Sequence, residues 1–98
     1  TSMAAAGCQV IIFTTGRGTP TGNAIVPVLK VTANERTYRC MEDNMDADLS
    51  AIVRGEKTYQ QMGRELVDAI AATANGRLTK AEAFGFSDIA VDHVCRYV

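Results

Sequence analysis

Histidine is almost missing from the chain: His93 is the only one. Cysteine is sparse as well. Cys8, Cys40 and Cys95 are odd in number, widely spaced and contain no Cys-x-x-Cys pair, so zinc-ribbon and thioredoxin-type chemistry are excluded. The expected state is three reduced, mostly buried thiols in a cytoplasmic protein. No apolar run is much longer than a single strand, which excludes a membrane helix of about 18 or more residues. No basic stretch leads into an apolar one, so no signal peptide is expected. Charge of either sign is not in excess: Lys+Arg 10 against Asp+Glu 11 gives a net charge of −1. That balance provides no broad field for nucleic acid or an anionic membrane. Internal repeats and low-complexity segments are absent too.

What remains is an ordinary globular composition: 98 residues, 47% hydrophobic and 21% charged. That length fits one domain, large enough to bury a core without metal or disulfide staples. The chain opens on Thr1 in what reads as a helix end, so a fragment of a larger protein is expected.

Periodicity and punctuation divide the chain into elements. Thr1–Gly7 is an Ala-rich helix tail stopped by glycine. Cys8–Phe13 is a continuous apolar, β-branched run, which predicts a strand buried on both faces. Ile25–Thr32 predicts a second strand, with Pro27 near its start, at a bulge or on an edge, because proline has no donor for the ladder. Asn34 is an N-cap for a helix reaching about Asp43, with Tyr38 and Met41 facing inward and Arg39 set to pair with Glu35 and Asp43. Asn44–Glu56 is the least periodic stretch. Within it Ile52 and Val53 predict a very short strand or a packed turn, ended by Gly55.

Thr58-x-x-Gln61 is a capping box opening the longest helix, whose inward stripe is Tyr59, Met62, Leu66, Ile70 and Thr73, and Asn75-Gly76 stops it. Thr79-x-x-Glu82 opens a short helix stopped by Gly85, and Ile89–Val98 reads as a final strand. Together these elements predict a small α/β domain of two or three layers. Its sheet of about three or four strands is mostly parallel or mixed, with helices packed on it.

The strongest chemical signal is the loop Thr14–Asn23, with three glycines and one proline in ten residues. It follows a buried strand, where α/β proteins place ligands. Gly16, Gly18 and Gly22 allow sharp turns and close backbone approach, and free amides in such a turn form an anion-binding nest. Arg17 adds a planar fork matched to a carboxylate. Thr14, Thr15, Thr19 and Thr21 add hydroxyls, and Asn23 an amide. That set suits a small, anionic, polyhydroxy ligand. A turn-rich connection with a solvated Arg17 is the alternative. The loop is not a Walker A motif, because no Gly-Lys-Ser/Thr follows. Nor is it a dinucleotide fingerprint: the third glycine is misplaced, Pro20 intervenes, and a strand follows instead of a helix.

Glu42, Asp43, Asp46 and Asp48 form an acidic cluster that reads as a helix end followed by a solvated loop, or as oxygen ligands for a hard cation. His93 is expected to be structural: in a strand its neighbour Asp92 points to the opposite face, so the two form no dyad. No Ser, His and Asp set supports a hydrolase triad.

The stretch from Ala4 to Asn34, AAAGCQVIIFTTGRGTPTGNAIVPVLKVTAN, resembles the C-terminal segment of the altronate and galactarate dehydratases, and is similar to sulfolactate sulfo-lyase large subunits. Phe13–Pro20 (FTTGRGTP) carries the resemblance without a gap, and NMDAD through NGRLTKAEAFG extends it over nearly the whole chain. Its C-terminal end, DHVCRYV, departs from the pattern and takes no role. The resemblance implies a lyase that removes water from hexaric or hexonic acids to give 2-keto-3-deoxy acids, using a divalent metal, often Fe2+. It implies that residues 1–98 are one C-terminal domain of a cytoplasmic enzyme. An N-terminal module of the SAF type and a middle region belong to such an enzyme, and the isolated domain is expected to be inactive. Thr14, Thr15, Gly16, Arg17, Gly18 and Thr19 match the family motif and are the expected substrate-binding residues. The resemblance leaves open the sugar acid, the general base, the metal ligands and homo-oligomer formation. A noncatalytic structural module and a sulfo-lyase remain alternatives.

Overall fold

A computed structural model describes residues 1–91. The elements, in chain order, are helix α1 (Ser2–Ala5), strands β1 (Ile11–Thr14) and β2 (Val28–Thr32), helix α2 (Glu35–Cys40), a 3-10 turn (Glu42–Asn44), strand β3 (Ala47–Asp48), and helices α3 (Ser50–Val53), α4 (Tyr59–Ala74) and α5 (Lys80–Ala83). The three strands form one parallel sheet in the order β1-β2-β3. Ile11 pairs with Val28 and Thr14 with Val31, while Val31 and Thr32 pair with Ala47 and Asp48. The α/β class and the parallel sheet are those expected.

The centre of the fold is β2, all five of whose residues are buried. Val28, Leu29 and Val31 leave water almost completely there, and each such side chain stabilises the fold by about 1.5–3 kcal/mol. Ile11, Val26 and Val28 form one cluster, against which Ala4 of α1 packs. Here the apolar run before the loop misleads. Only Ile11 of β1 is buried, and Ile12 and Phe13 are 43% and 41% exposed. Among the described residues β1 has one sheet neighbour, β2, so it is an edge strand there; being apolar does not supply a second layer.

Strand β2 starts later than the sequence suggests. The Asn23 side chain accepts the amides of Ile25 (2.9 Å) and Val26 (3.2 Å), which holds that segment in a turn. Pro27 then sits just ahead of the strand, where its missing donor costs nothing, and its carbonyl accepts the Ile11 amide at 3.0 Å.

Local capping signals were read correctly. Asn34 accepts the amides of Arg36 and Thr37, and both threonine capping boxes close reciprocally. Helices α1, α3, α4 and α5 each stop at a glycine with positive φ, the next amide reaching back to the helix carbonyl five residues earlier. The α2 helix is shorter than expected, ending at Cys40 before the 3-10 turn. Arg39 therefore pairs with Glu35, on its own helix, and Asp43 lies past the helical register that would bring it near.

Of the two alternatives for Ile52 and Val53, the turn is found and not the strand: both lie in the single helical turn α3, where Asp48 accepts the Ser50 amide (2.8 Å). Two further expectations fail. Tyr59 is 80% exposed, while Met62 and Thr73 of the same stripe are buried. Helical spacing sets where side chains point, but neighbouring elements decide how much of the stripe is covered. Cys8 and Cys40 are free and exposed rather than buried. In the expected last strand, Ile89–Val91 has no regular secondary structure, and the remainder, with His93 and Cys95, lies outside the described residues. No helix among the described residues is long and apolar enough to cross a membrane.

Candidate functional site

The glycine-rich loop leaves β1 at its carboxyl end, on the side of the sheet where β2 runs into α2. There, an open cleft of about 450 Å³ is bordered by Thr14, Thr15 and Gly16 after β1, Thr32 and Asn34 after β2, and Leu49 after β3. It occupies the position that α/β sheets use for ligands, and the parallel register creates it: all three strands end together. Its walls are mostly apolar, with the threonines and Asn34 as polar points.

The structure divides the six expected site residues into two groups. Thr14, Thr15 and Gly16 line the cleft; Arg17, Gly18 and Thr19 do not. Thr15 joins loop to sheet by donating its amide to the Val31 carbonyl at 3.0 Å. Its hydroxyl then accepts the Gly18 amide at 3.0 Å, closing a tight turn around Arg17. The Gly16 carbonyl receives two donors from α2 and its cap, Asn34 Nδ2 (3.1 Å) and Thr37 Oγ1 (2.7 Å). Gly18 has φ +83°, and a Cβ there would stand 2.3 Å from Met41 Sδ and 3.1 Å from Thr37 Cγ2. The left-handed backbone thus requires glycine, and a Cβ would also press on Thr37 of α2 and force the flexible Met41 side chain to move. Thr19 and Thr21 share a hydrogen bond between hydroxyls at 2.8 Å.

Arg17 is exposed and makes no hydrogen bond or ion pair among the described residues. The backbone amides of Gly16, Arg17 and Thr19 also have no partner among those residues, whereas that of Gly18 is taken by Thr15. Arg54 shows the contrasting case. Its guanidinium holds Glu56 through Nε (2.8 Å) and Nη2 (3.1 Å), reaches Glu35 at 3.2 Å and Ser50 Oγ at 2.8 Å, and so is committed to the fold. The hydrogen bond to Glu56 raises the Arg54 pKa, and Arg54 in turn lowers that of Glu56. Burial, together with Glu42 and Asp48, raises the pKa of half-buried Tyr38.

The acidic cluster comes apart. Asp46 Oδ2 accepts the Lys30 amide and Oδ1 the Lys80 amide, both at 2.8 Å, while its own amide bonds the Lys30 carbonyl. It is a clamp between β2 and the start of α5. Asp48 accepts the first amide of α3, that of Ser50, and the Glu42 carbonyl accepts the Lys80 ammonium. No group of three or more metal-ligating side chains occurs among the described residues. These residues therefore do not fit the divalent metal implied by the family.

Sequence reasoning missed Thr37 and Leu49, and saw in Asn34 only a cap. The second hydrogen bond of Asn34, to a carbonyl 18 residues earlier, depends on the parallel register. Lys30 carried one visible signal, a charge in the middle of an apolar strand. It is completely buried, its ammonium donates to the Pro20 carbonyl at 3.0 Å, and burial lowers its pKa against the opposing pull of Asp46.

The comparisons with known proteins agree on one family. Residues 1–96 match the family described as D-galactarate/Altronate dehydratase, C-terminal. The chain is 45% identical to the (2R)-sulfolactate sulfo-lyase subunit beta of Chromohalobacter salexigens, covering 87% of this chain and 22% of that protein. It is 33% identical to the altronate dehydratase of Bacillus subtilis, over 92% of this chain and 18% of the relative. With the galactarate dehydratase (L-threo-forming) of Escherichia coli the identity is 38%, over 79% and 15% respectively. The chain thus spans about a fifth of the length of these relatives. A parallel sheet with its glycine-rich turn at the carboxyl end, matched over residues 1–96, makes the chain a member of the D-galactarate/altronate dehydratase C-terminal domain family.

Proposed function

We propose that residues 1–98 form the carboxylate-binding C-terminal domain of a lyase that dehydrates a sugar acid, such as altronate or galactarate, to a 2-keto-3-deoxy acid. The observation that carries this reading is the uncommitted Arg17 guanidinium, in a turn whose Arg17 and Thr19 amides are also unused among the described residues. A planar cation with adjacent N–H donors suits a carboxylate. Thr14 and Thr15, on the cleft wall, suit the hydroxyls of the same substrate. Abstraction of the proton α to the carboxylate builds negative charge on its oxygens as an enediolate forms. Donors already aimed at those oxygens stabilise that charge, each by a few kcal/mol.

The base and the ligands of the family's divalent metal belong, on this reading, to parts of the enzyme beyond the described residues. The domain's partner is the rest of that enzyme, consistent with its share of its relatives' length. Exposed, unpaired Cys8 and Cys40 suit the reducing cytoplasm.

A second reading is favoured by the 45% identity to a sulfo-lyase subunit: the same turn binds the carboxylate of sulfolactate, and sulfite leaves in place of water. Titrating the chain with galactarate, altronate and sulfolactate separates the two by which anion saturates. In an enzyme carrying this domain, Arg17→Ala is expected to lower kcat/KM about a hundredfold or more. Near wild-type kinetics would reduce the domain to a noncatalytic packing module.

A further inference from the structure

The turn bearing Arg17 is held from outside at two points. Upstream, Asn34 and Thr37 grip the Gly16 carbonyl. Downstream, Lys30 grips the Pro20 carbonyl, and among the described residues this is the only hydrogen bond reaching residues 17–22 from outside the loop. Between these anchors lie Arg17, Gly18 and Thr19, the segment with the unused guanidinium and amides.

Lys30 is an expensive way to make one hydrogen bond. It is 0% exposed in the central strand, where a valine or leucine would fit the pattern of its neighbours. Burying an ammonium carries a large desolvation penalty unless the charge is paired. No ion pair to Lys30 forms among the described residues, and both oxygens of nearby Asp46 are taken by backbone amides. A buried cation without an ion partner among the described residues, bonded to the carbonyl just after the Arg17–Thr19 segment, is accounted for if that segment and its ligand use it.

We propose that Lys30 is a positioning residue of the carboxylate site. By holding the Pro20 carbonyl, it keeps the segment Arg17–Thr19 shaped to converge on one anion, and its positive charge favours that anion. This rests on the carboxylate-binding reading above. Burial lowers the Lys30 pKa while Asp46 resists the change, which agrees with a cation held in a dry place.

The test compares the 98-residue chain with Lys30→Met, which keeps the length of the stem and removes the donor. Hydrogen exchange is followed by residue, and galactarate and sulfolactate are titrated. Affinity for whichever anion binds is expected to fall at least about tenfold. Amides 17–22 should exchange about tenfold faster, while those of α4 keep their wild-type protection. A merely structural lysine would instead loosen α4 and the loop together, and that outcome, or unchanged affinity in a folded variant, overturns the proposal. If the variant does not fold, ammonium NMR of the wild type decides. A slowly exchanging Lys30 signal that moves on adding the anion supports the role; a solvent-averaged or unmoved signal overturns it. A wild-type chain that binds neither anion refutes the carboxylate site itself, a failure separate from that of Lys30.

Discussion

Gly22→Ala is a direct test of how the loop is seated. The backbone of Gly22 is not left-handed, so an alanine meets no conformational penalty there and the effect is steric. A Cβ at this position would stand 2.3 Å from the Phe86 carbonyl oxygen and 2.8 Å from Ala81 Cβ. Both obstacles are fixed. Ala81 is buried in α5, and the Phe86 amide closes that helix on the Ala81 carbonyl at 2.9 Å. Moving the Phe86 carbonyl by the ångström or so required strains that closure. Overpacking costs about 1–3 kcal/mol, and losing the closing hydrogen bond adds about 1 kcal/mol. We therefore expect Gly22→Ala to destabilise the fold by about 2–4 kcal/mol, and to lower the melting temperature by roughly 8–32 °C at about 4–8 °C per kcal/mol.

Urea and thermal denaturation followed by circular dichroism measure this directly. Gly63→Ala is the internal control. Gly63 is exposed in α4, with nothing within 4 Å of its added Cβ, so alanine should stabilise by about 0.5–1 kcal/mol through helix propensity. A Gly22→Ala change below about 0.5 kcal/mol, with Gly63→Ala behaving as expected, would refute the close approach of loop to α5.

Two other outcomes follow from the polar network. Asp46→Ala leaves the amides of Lys30 and Lys80 without their acceptor, and should cost about 2–4 kcal/mol in a urea titration; Asp46→Asn, retaining one acceptor oxygen, should cost less. Glu56 has its pKa lowered by Arg54, so the stabilisation it contributes is present above the ordinary value of 4.5 and is lost as pH falls through the lowered one. An acid titration of stability should therefore be flatter for Glu56→Gln, and the difference should shrink in high salt, because the pair is at the surface.

Much of the fold was legible because its signals are local. A capping box needs only the four residues that compose it, so Thr58 with Gln61 and Thr79 with Glu82 could be read directly. The glycine stops at residues 7, 55, 76 and 85 reflect the backbone preference of a single residue. Burial is different, since it belongs to pairs of elements. Ile12 and Phe13 look like core residues, yet are half exposed because β1 is at the edge; Lys30 looks like a surface residue, yet is buried because β2 is at the centre.

The sequence by itself thus determined the α/β class, the capping boxes and glycine stops, the family, and a glycine-rich turn carrying Arg17. Only the tertiary structure decided which strand is central, that Asp46 is a clamp, and that Thr14–Gly16 border a cleft while Arg17 stands uncommitted beside it. The physical reason is range. Dihedral preference and capping act over a few residues, whereas desolvation and the bonds from Lys30 to Pro20 and from Asp46 to Lys80 join parts 10 and 34 residues apart that meet only once the sheet has formed.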